Sequence, residues 1–261
     1  MAFKIGNIMD KAGGDAMTKA LYLEDSYLKD CKATVTKVSG RKVELSHTVL
    51  NPHGDEIAHP QPHDKGTLVL GTKLLSVSKT ILDGDRILHY IKEKPPPVGA
   101  DVGCYLDWAR RYRVMRNHTA MHIMAQLALE ICGGRINGNL ECRDHITHID
   151  LRDCNTADNC AKQVEREANR IVQEDRSIEI FYVPRKNITD YIEQRKAESV
   201  VIPEYVDKVR LVKIDDLCVD ICYGTVLRST REIGSIRLIP KHNKYFEEKA
   251  GGNKRLAFVV Y

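Results

Sequence analysis

Residues 32–49 read KATVTKVSGRKVELSHTV, and this stretch decides the amino-terminal fold. Apolar and polar side chains alternate in KATVTKV (32–38) and in KVELSHTV (42–49), and Ser39-Gly40 supplies the turn between them. Alternation with a period of two marks strands with one face on a core. Working outward, TLVLGTKLLSVSKT (67–80) continues the pattern, and ILDGDRILHYI (81–91) carries an Asp83-Gly84 hairpin signal. Short strands with closely spaced turns predict a small antiparallel β-barrel or sandwich over residues 18–94. NPHGDEIAHPQPHDKG (51–66) interrupts the strands as a loop, because Pro52, Pro60 and Pro62 donate nothing to a ladder. Pro95, Pro96 and Pro97 predict a stiff linker over 95–99, with a second domain over 100–261.

Beyond the prolines the period changes. Asn117–Cys132 reads as a helix started by an Asn117 cap and closed by Gly133 and Gly134. ADNCAKQVEREANRIVQE (157–174) places Ala161, Val164, Ala168, Ile171 and Val172 near one face of a second helix. Strands are expected at 177–183, 209–214, 218–222, 235–239 and 256–260, with a short helix near 189–198. Helices laid on an antiparallel sheet make this half α+β, and the whole chain α+β. Residues 1–17 have no clear period and are expected to form a loosely ordered arm.

The 261 residues are 43% hydrophobic and 29% charged, which supports real cores and argues against disorder. No apolar run is long enough for a membrane span, and the start lacks the layout of a secretory signal, so a cytoplasmic protein with no membrane partner is expected. The net charge of +4 permits contact with a short stretch of phosphate backbone without demanding it. The eight cysteines are expected to stay reduced, as ligands or core residues.

His118 and His122 stand four apart on the first helix, so both rings leave one face and can meet one metal ion. A thiol-bearing turn far downstream, Cys222-Tyr223-Gly224-Thr225, offers the sulfur that zinc favours beside nitrogen. Cys218 lies about 13 Å from Cys222 along an extended strand at roughly 3.3 Å per residue, too far to share an ion without a bend. Cys142, His145 and His148 imitate a metal cluster but read better as surface residues beside a strand. Cys154 and Cys160 read as packing residues. His53, His59 and His63 read as a solvated loop, able to touch RNA when protonated. Arg110, Arg111, Arg113 and Arg116 form a basic cluster read as an exposed face, which an approaching polyanion would meet first.

With these residues in place the chain resembles the free-standing alanyl-tRNA editing proteins (AlaX) of the medium-sized type, and the editing domain of alanyl-tRNA synthetase. The resemblance is carried by LYLEDSYL (21–28), Gln61-Pro62 with Asp64 and Gly66, and LDWARRYRVMRNHTAMHIM (106–124). ING (136–138) with Asn139, HIDL (148–151), the helix at 164–174 and REIG (231–234) add to it. It implies a barrel followed by an editing domain, and a trans-editing hydrolase that removes a wrong amino acid, chiefly serine, from the acceptor end of alanine tRNA. It also implies a zinc ion on His118, His122 and Cys222, with Thr119 hydrogen-bonding the seryl hydroxyl. Two departures stand out. The family's G-G-G-Q-P loop is Ala58-His59-Pro60 before Gln61-Pro62, and its C-G-G-T-H motif is Cys222-Tyr223-Gly224-Thr225-Val226. Valine cannot bind zinc, so the competing reading is a tRNA-binding protein of the same fold with reduced or lost hydrolysis.

Overall fold

A computed structural model describes residues 17–54, 61–192, 206–241 and 244–261. The arm expected over 1–17 lies, apart from Met17, outside the described residues, as do His59 and everything beyond Ile192 in the short helix that begins at Thr189. Two compact units divide the chain. Among the described residues the first takes 17–54, 62–111 and 206–207, and the second takes 61, 112–192, 208–241 and 244–261.

The first unit is a closed six-stranded barrel. Its strands are β1 (Asp30–Ser39), β2 (Lys42–Leu45), β3 (Gly66–Leu70), β4 (Lys73–Asp83), β5 (Arg86–Ile91) and β6 (Asp101–Leu106), and they close in the order β1-β2-β5-β4-β3-β6. The alternation in the sequence becomes the interior: Ala33, Val35, Val43, Leu45, Leu68, Leu75, Val77, Val102 and Cys104 form one buried cluster with Val49, Leu50 and Ile91. Register shifts between Val35 and Lys37 and between Val77 and Lys79 bend two of the pairings, a common device for closing a sheet. LYLEDSYL begins with one turn of helix, Leu21–Glu24, that buries Tyr22 and Leu23.

The proline run needs a correction. Pro95–Pro97 is no boundary between domains, because the barrel's last strand, Asp101–Leu106, lies beyond it and pairs with both β1 and β3. A segment without N–H donors punctuates a crossing between strands as readily as a domain gap. The change of unit falls instead at Arg111.

His89 is a buried group with a stability consequence. Its Nδ1 donates to the Val43 carbonyl at 3.1 Å and its Nε2 accepts from the Thr48 hydroxyl at 2.8 Å, so the ring is held neutral. Burial pushes its pKa down to about 4. The unfolded chain, near 6.5, therefore takes a proton first as pH falls, and stability drops as pH passes from 6.5 towards 4. Linkage sets the loss from this residue at about 2 kcal/mol between pH 7.5 and pH 5. Denaturant unfolding of wild type and His89→Gln at the two pH values should show a steeper pH dependence in wild type; parallel curves would refute the assignment.

The second unit is a pair of antiparallel sheets with two long helices. Helix α1 (Trp108–Cys132) precedes β7 (Arg135–Glu141), β8 (Thr147–Arg152), α2 (Asp158–Glu174), β9 (Ile178–Pro184), β10 (Lys208–Ile214) and β11 (Cys218–Ile221). Then come β12 (Ile236–Leu238), β13 (Phe246–Glu248) and β14 (Lys254–Val260). One sheet runs β12-β14-β8-β7, with β13 also paired to β14, and the other runs β9-β10-β11. Helix α2 buries the expected Ala161, Val164, Ala168, Ile171 and Val172. Its Asn169 and Glu165 side chains bond the backbone of Ile236 and Leu238, which occupies the open side of strand β12. No described helix is long and apolar enough to cross a membrane.

Helix α1 starts nine residues before the expected Asn117 cap. Asp107 caps it, accepting the Arg110 N–H on Oδ1 at 3.2 Å and the Arg111 N–H on its carbonyl at 3.0 Å. Asn117 sits inside the helix, where its amide donates to the carbonyls of Arg113 and Asp144. From Asn117 to Ala125 every residue is buried, so the helix has no polar stripe for a periodic pattern to reveal. Gly133 and Gly134, both at positive φ, end it as expected.

Candidate metal centre

Helix α1 and the turn after β11 build the site. His118 and His122 lie one helical turn apart with ring centroids 5.0 Å from each other, and both are fully buried. Cys222, the residue after β11, is also fully buried and brings its Sγ to 3.6 Å from His118 Nε2. One donor atom from each of the three residues lies within 4.8 Å of the others, the sole such cluster of three or more His, Cys, Asp or Glu among the described residues.

Each imidazole is aimed by a bond at its other nitrogen. His118 Nδ1 donates to the Thr225 carbonyl at 3.1 Å, and since a carbonyl only accepts, Nε2 is left as the lone-pair nitrogen facing sulfur. His122 Nδ1 bonds the Asp220 carboxylate, itself buried. A carbonyl and a carboxylate behind the rings are the usual supports of metal-ligating histidines. Burial alone would pull the His122 pKa down, but the Asp220 charge outweighs it and pushes the ring up to about 9. Burial likewise opposes the Cys222 thiolate, yet the two histidines hold the thiol well below its usual range. The pocket thus stabilises positive charge on the His122 ring beside a sulfur that deprotonates readily.

Those donors fit zinc. Bonds of about 2.3 Å to sulfur and 2.05 Å to nitrogen at the tetrahedral angle set their ends about 3.6 Å apart, the separation of Cys222 Sγ from His118 Nε2. Val226 does not supply a fourth ligand. It is buried with Val212 and Cys222 in an apolar cluster against Ile178 and Ile180. Cys218 stands four residues back, paired with Ile214 and outside the donor cluster, as strand spacing predicts.

The turn itself is clamped. Gln61 accepts the Thr225 N–H at 2.9 Å and donates to the Thr225 hydroxyl at 3.0 Å. Thr119 is fully buried, and its Oγ1 accepts the Leu227 N–H at 3.1 Å, so it tethers the chain just past Val226 and keeps its own proton for another acceptor. Sequence reasoning missed Asp220 and the clamping role of Gln61. Asp220 had a signal: it stands two residues before Cys222 in an extended run, so the two share a face.

The other candidates separate. His145 is exposed, His148 bonds Glu141 at 3.3 Å, and Cys142, expected on the surface, is buried with its thiol towards the Val114 carbonyl. Cys160 is buried and Cys154 half-buried, as packing residues should be. His53 bridges to Ile81, and burial first and the Arg110 charge second hold the His63 pKa low, which opposes its protonated contact with RNA. The arginine cluster is not an exposed face. Arg111 is fully buried on Asp64, Arg110 reaches the His63 carbonyl, and Arg116 bonds the carbonyls of Ile233 and Tyr261.

Residues 209–257, which carry β10, β11 and the Cys222 turn, match the family described as the threonyl and alanyl tRNA synthetase second additional domain. Over 94% of its length the chain is 31% identical to the alanyl-tRNA editing protein AlaX-M of Methanosarcina mazei, covering 97% of that protein. It is 30% identical to AlaX-M of Saccharolobus solfataricus, with 94% and 99% covered. It is also 32% identical to the alanine–tRNA ligase of Pyrobaculum neutrophilum, of which it spans 28%. A barrel ahead of an α+β unit, a buried His-His-Cys cluster and these full-length relatives lead to one assignment: the chain belongs to the AlaX-M family of alanyl-tRNA editing proteins.

Proposed function

We propose that the protein is a cytoplasmic trans-editing hydrolase that cleaves the ester of mischarged alanine tRNA, chiefly seryl-tRNA, at a zinc ion held by His118, His122 and Cys222. The observation that carries this reading is the 3.6 Å separation of Cys222 Sγ from His118 Nε2 in a fully buried cluster, in a chain whose relatives are named for alanyl-tRNA editing. Editing at a second site answers a physical limit: a pocket sized for a small apolar side chain rejects a near neighbour too weakly by binding alone. When bound, zinc would polarise the ester carbonyl or lower the pKa of a water. The chain's own residues do the rest. Asp220 holds the His122 proton at Nδ1, and the Thr225 carbonyl does the same for His118, so that both Nε2 lone pairs face inward. Thr119 keeps its hydroxyl proton to donate to a seryl oxygen while its lone pair holds Leu227. Val226 and Val212 present hydrocarbon beside Cys222, which favours three protein ligands and an open position over a closed structural site.

The binding-protein reading rests on that same valine. Purified protein should contain about one zinc per chain and deacylate seryl-tRNA faster than buffer; protein that binds tRNA, carries no metal and leaves the ester intact would make the binder correct. Val226→His places an imidazole beside Cys222. It should tighten zinc affinity by about tenfold or more while changing single-turnover deacylation only modestly, because the wild-type site is competent. A histidine variant that gains hydrolysis from nothing would place this protein with the binders.

A further inference from the structure

Arg210 is a fully buried cation whose forked edge meets no acceptor among the described residues. It lies on β10, and its Nη1 donates to the Cys222 carbonyl while its own carbonyl accepts the Cys222 N–H at 3.2 Å. Its Nε and Nη2 have no hydrogen-bond partner, and no carboxylate forms an ion pair with it among the described residues. The same two nitrogens are the working edge of other arginines in this chain. Arg255 uses Nε and Nη2 to grip both oxygens of Asp150, at 2.6 and 2.8 Å, and Arg111 turns the same pair on Asp64. A guanidinium cannot shed its charge, and buried donors are normally satisfied, so an unpaired fork at this depth is suited to an anion.

The fork also has an address. Through Nη1 it is tied to the carbonyl of Cys222, the residue that supplies the thiol, and it is as buried as the three candidate ligands. Two parallel N–H donors match a group with two oxygens in one plane, a carboxylate or the non-bridging oxygens of a phosphodiester. We propose that Arg210 is an anion-binding catalytic residue, taking two oxygens of the aminoacyl-tRNA end that reaches His118, His122 and Cys222. The inference rests on the editing reading above. Two groups of that substrate carry the chemistry: the phosphodiester before the terminal adenosine, and the ester carbon, which takes a third oxygen from water, releases the ribose oxygen as a hydroxyl and leaves as a carboxylate.

The test compares wild type, Arg210→Lys and Arg210→Met for zinc content and for single-turnover hydrolysis of seryl-tRNA and of seryl-adenosine, which has no phosphate. Lysine keeps a cation able to hold the Cys222 carbonyl but has no fork. Both variants should keep their zinc, and both should hydrolyse seryl-tRNA about 10²- to 10³-fold more slowly. If the loss persists with seryl-adenosine, the fork serves the reacting ester; if it disappears, the fork serves the phosphate. Full activity in Arg210→Lys would make the residue only a pin for the Cys222 turn and overturn the proposal, as would loss of zinc in both variants. Wild type that hydrolyses neither substrate fails the editing reading instead. In that event saturation binding of AMP and of serine, compared between wild type and Arg210→Lys, still decides the anion site: binding weakened tenfold or more in the variant supports it, and equal binding removes it.

Discussion

His122→Ala is expected to leave the purified protein with little zinc and to slow seryl-tRNA deacylation by about 10³-fold, since a bound metal contributes several kcal/mol to such a reaction. The alanine removes one of three donors and also leaves the buried Asp220 carboxylate facing a cavity without its imidazole. Cys222→Ser should behave alike, because the thiolate supplies the sulfur of the set. Cys218→Ser should not: that residue, on β11, is paired with Ile214 of β10, outside the donor cluster, and the variant should keep its metal and its rate. Metal analysis beside single-turnover hydrolysis checks all three variants. Equal loss of zinc from the two serine variants would favour a Cys2His2 site, and an active, metal-free His122→Ala would remove zinc from the reaction.

The barrel was legible because most of its core positions alternate along their strands. Val43 and Leu45, or Val102 and Cys104, point to one face whatever the rest of the chain does, and they reach the core together. Helix α2 was legible for the matching reason, an apolar stripe opposite a charged one. Helix α1 was not, because pattern reading depends on contrast between faces. Its middle is buried all round and its first turns are crowded with arginines whose partners are distant in sequence, such as Asp64 for Arg111 and the Ile233 carbonyl for Arg116. Those partners turned an apparent charged face into internal bonding. The proline run misled in the opposite way: it marked a real break in the ladder, but one between consecutive strands, β5 and β6, that belong to a single barrel without pairing to each other.

Of the candidate site, the histidine pair and the thiol were readable from spacing and residue type, and the fold brings them to one point. Their supports were not readable. Thr225 contributes a backbone carbonyl to His118, which any residue could do, so no side-chain pattern announces it. Arg210 looked like one more charge in VRLVKI, and only its burial without a carboxylate sets it apart. Polar groups that act through burial leave little trace in a linear pattern.

Gly224→Ala should then damage the site almost as severely as removing a ligand, although it adds only one methyl group. A Cβ at this position would lie 2.3 Å from His118 Cε1, 2.7 Å from His118 Nδ1 and 2.5 Å from the Gln61 amide oxygen, all closer than atoms can approach. Neither neighbour can step aside cheaply. His118 is fixed through Nδ1 to the Thr225 carbonyl, and Gln61 is fixed by two hydrogen bonds to Thr225. Moving the ring carries Nε2 away from Cys222, and moving the turn carries Cys222 away from the ring, so either relaxation opens the 3.6 Å contact. A displacement of about 1 Å in such a site costs about 10²-fold in rate, and zinc affinity should fall with it. Zinc titration and hydrolysis of seryl-tRNA by Gly224→Ala, with circular dichroism to establish that the chain is folded, measure this directly. Wild-type affinity and rate in a folded Gly224→Ala protein would show that His118 is not held where these contacts place it, and the three-ligand site would have to be redrawn.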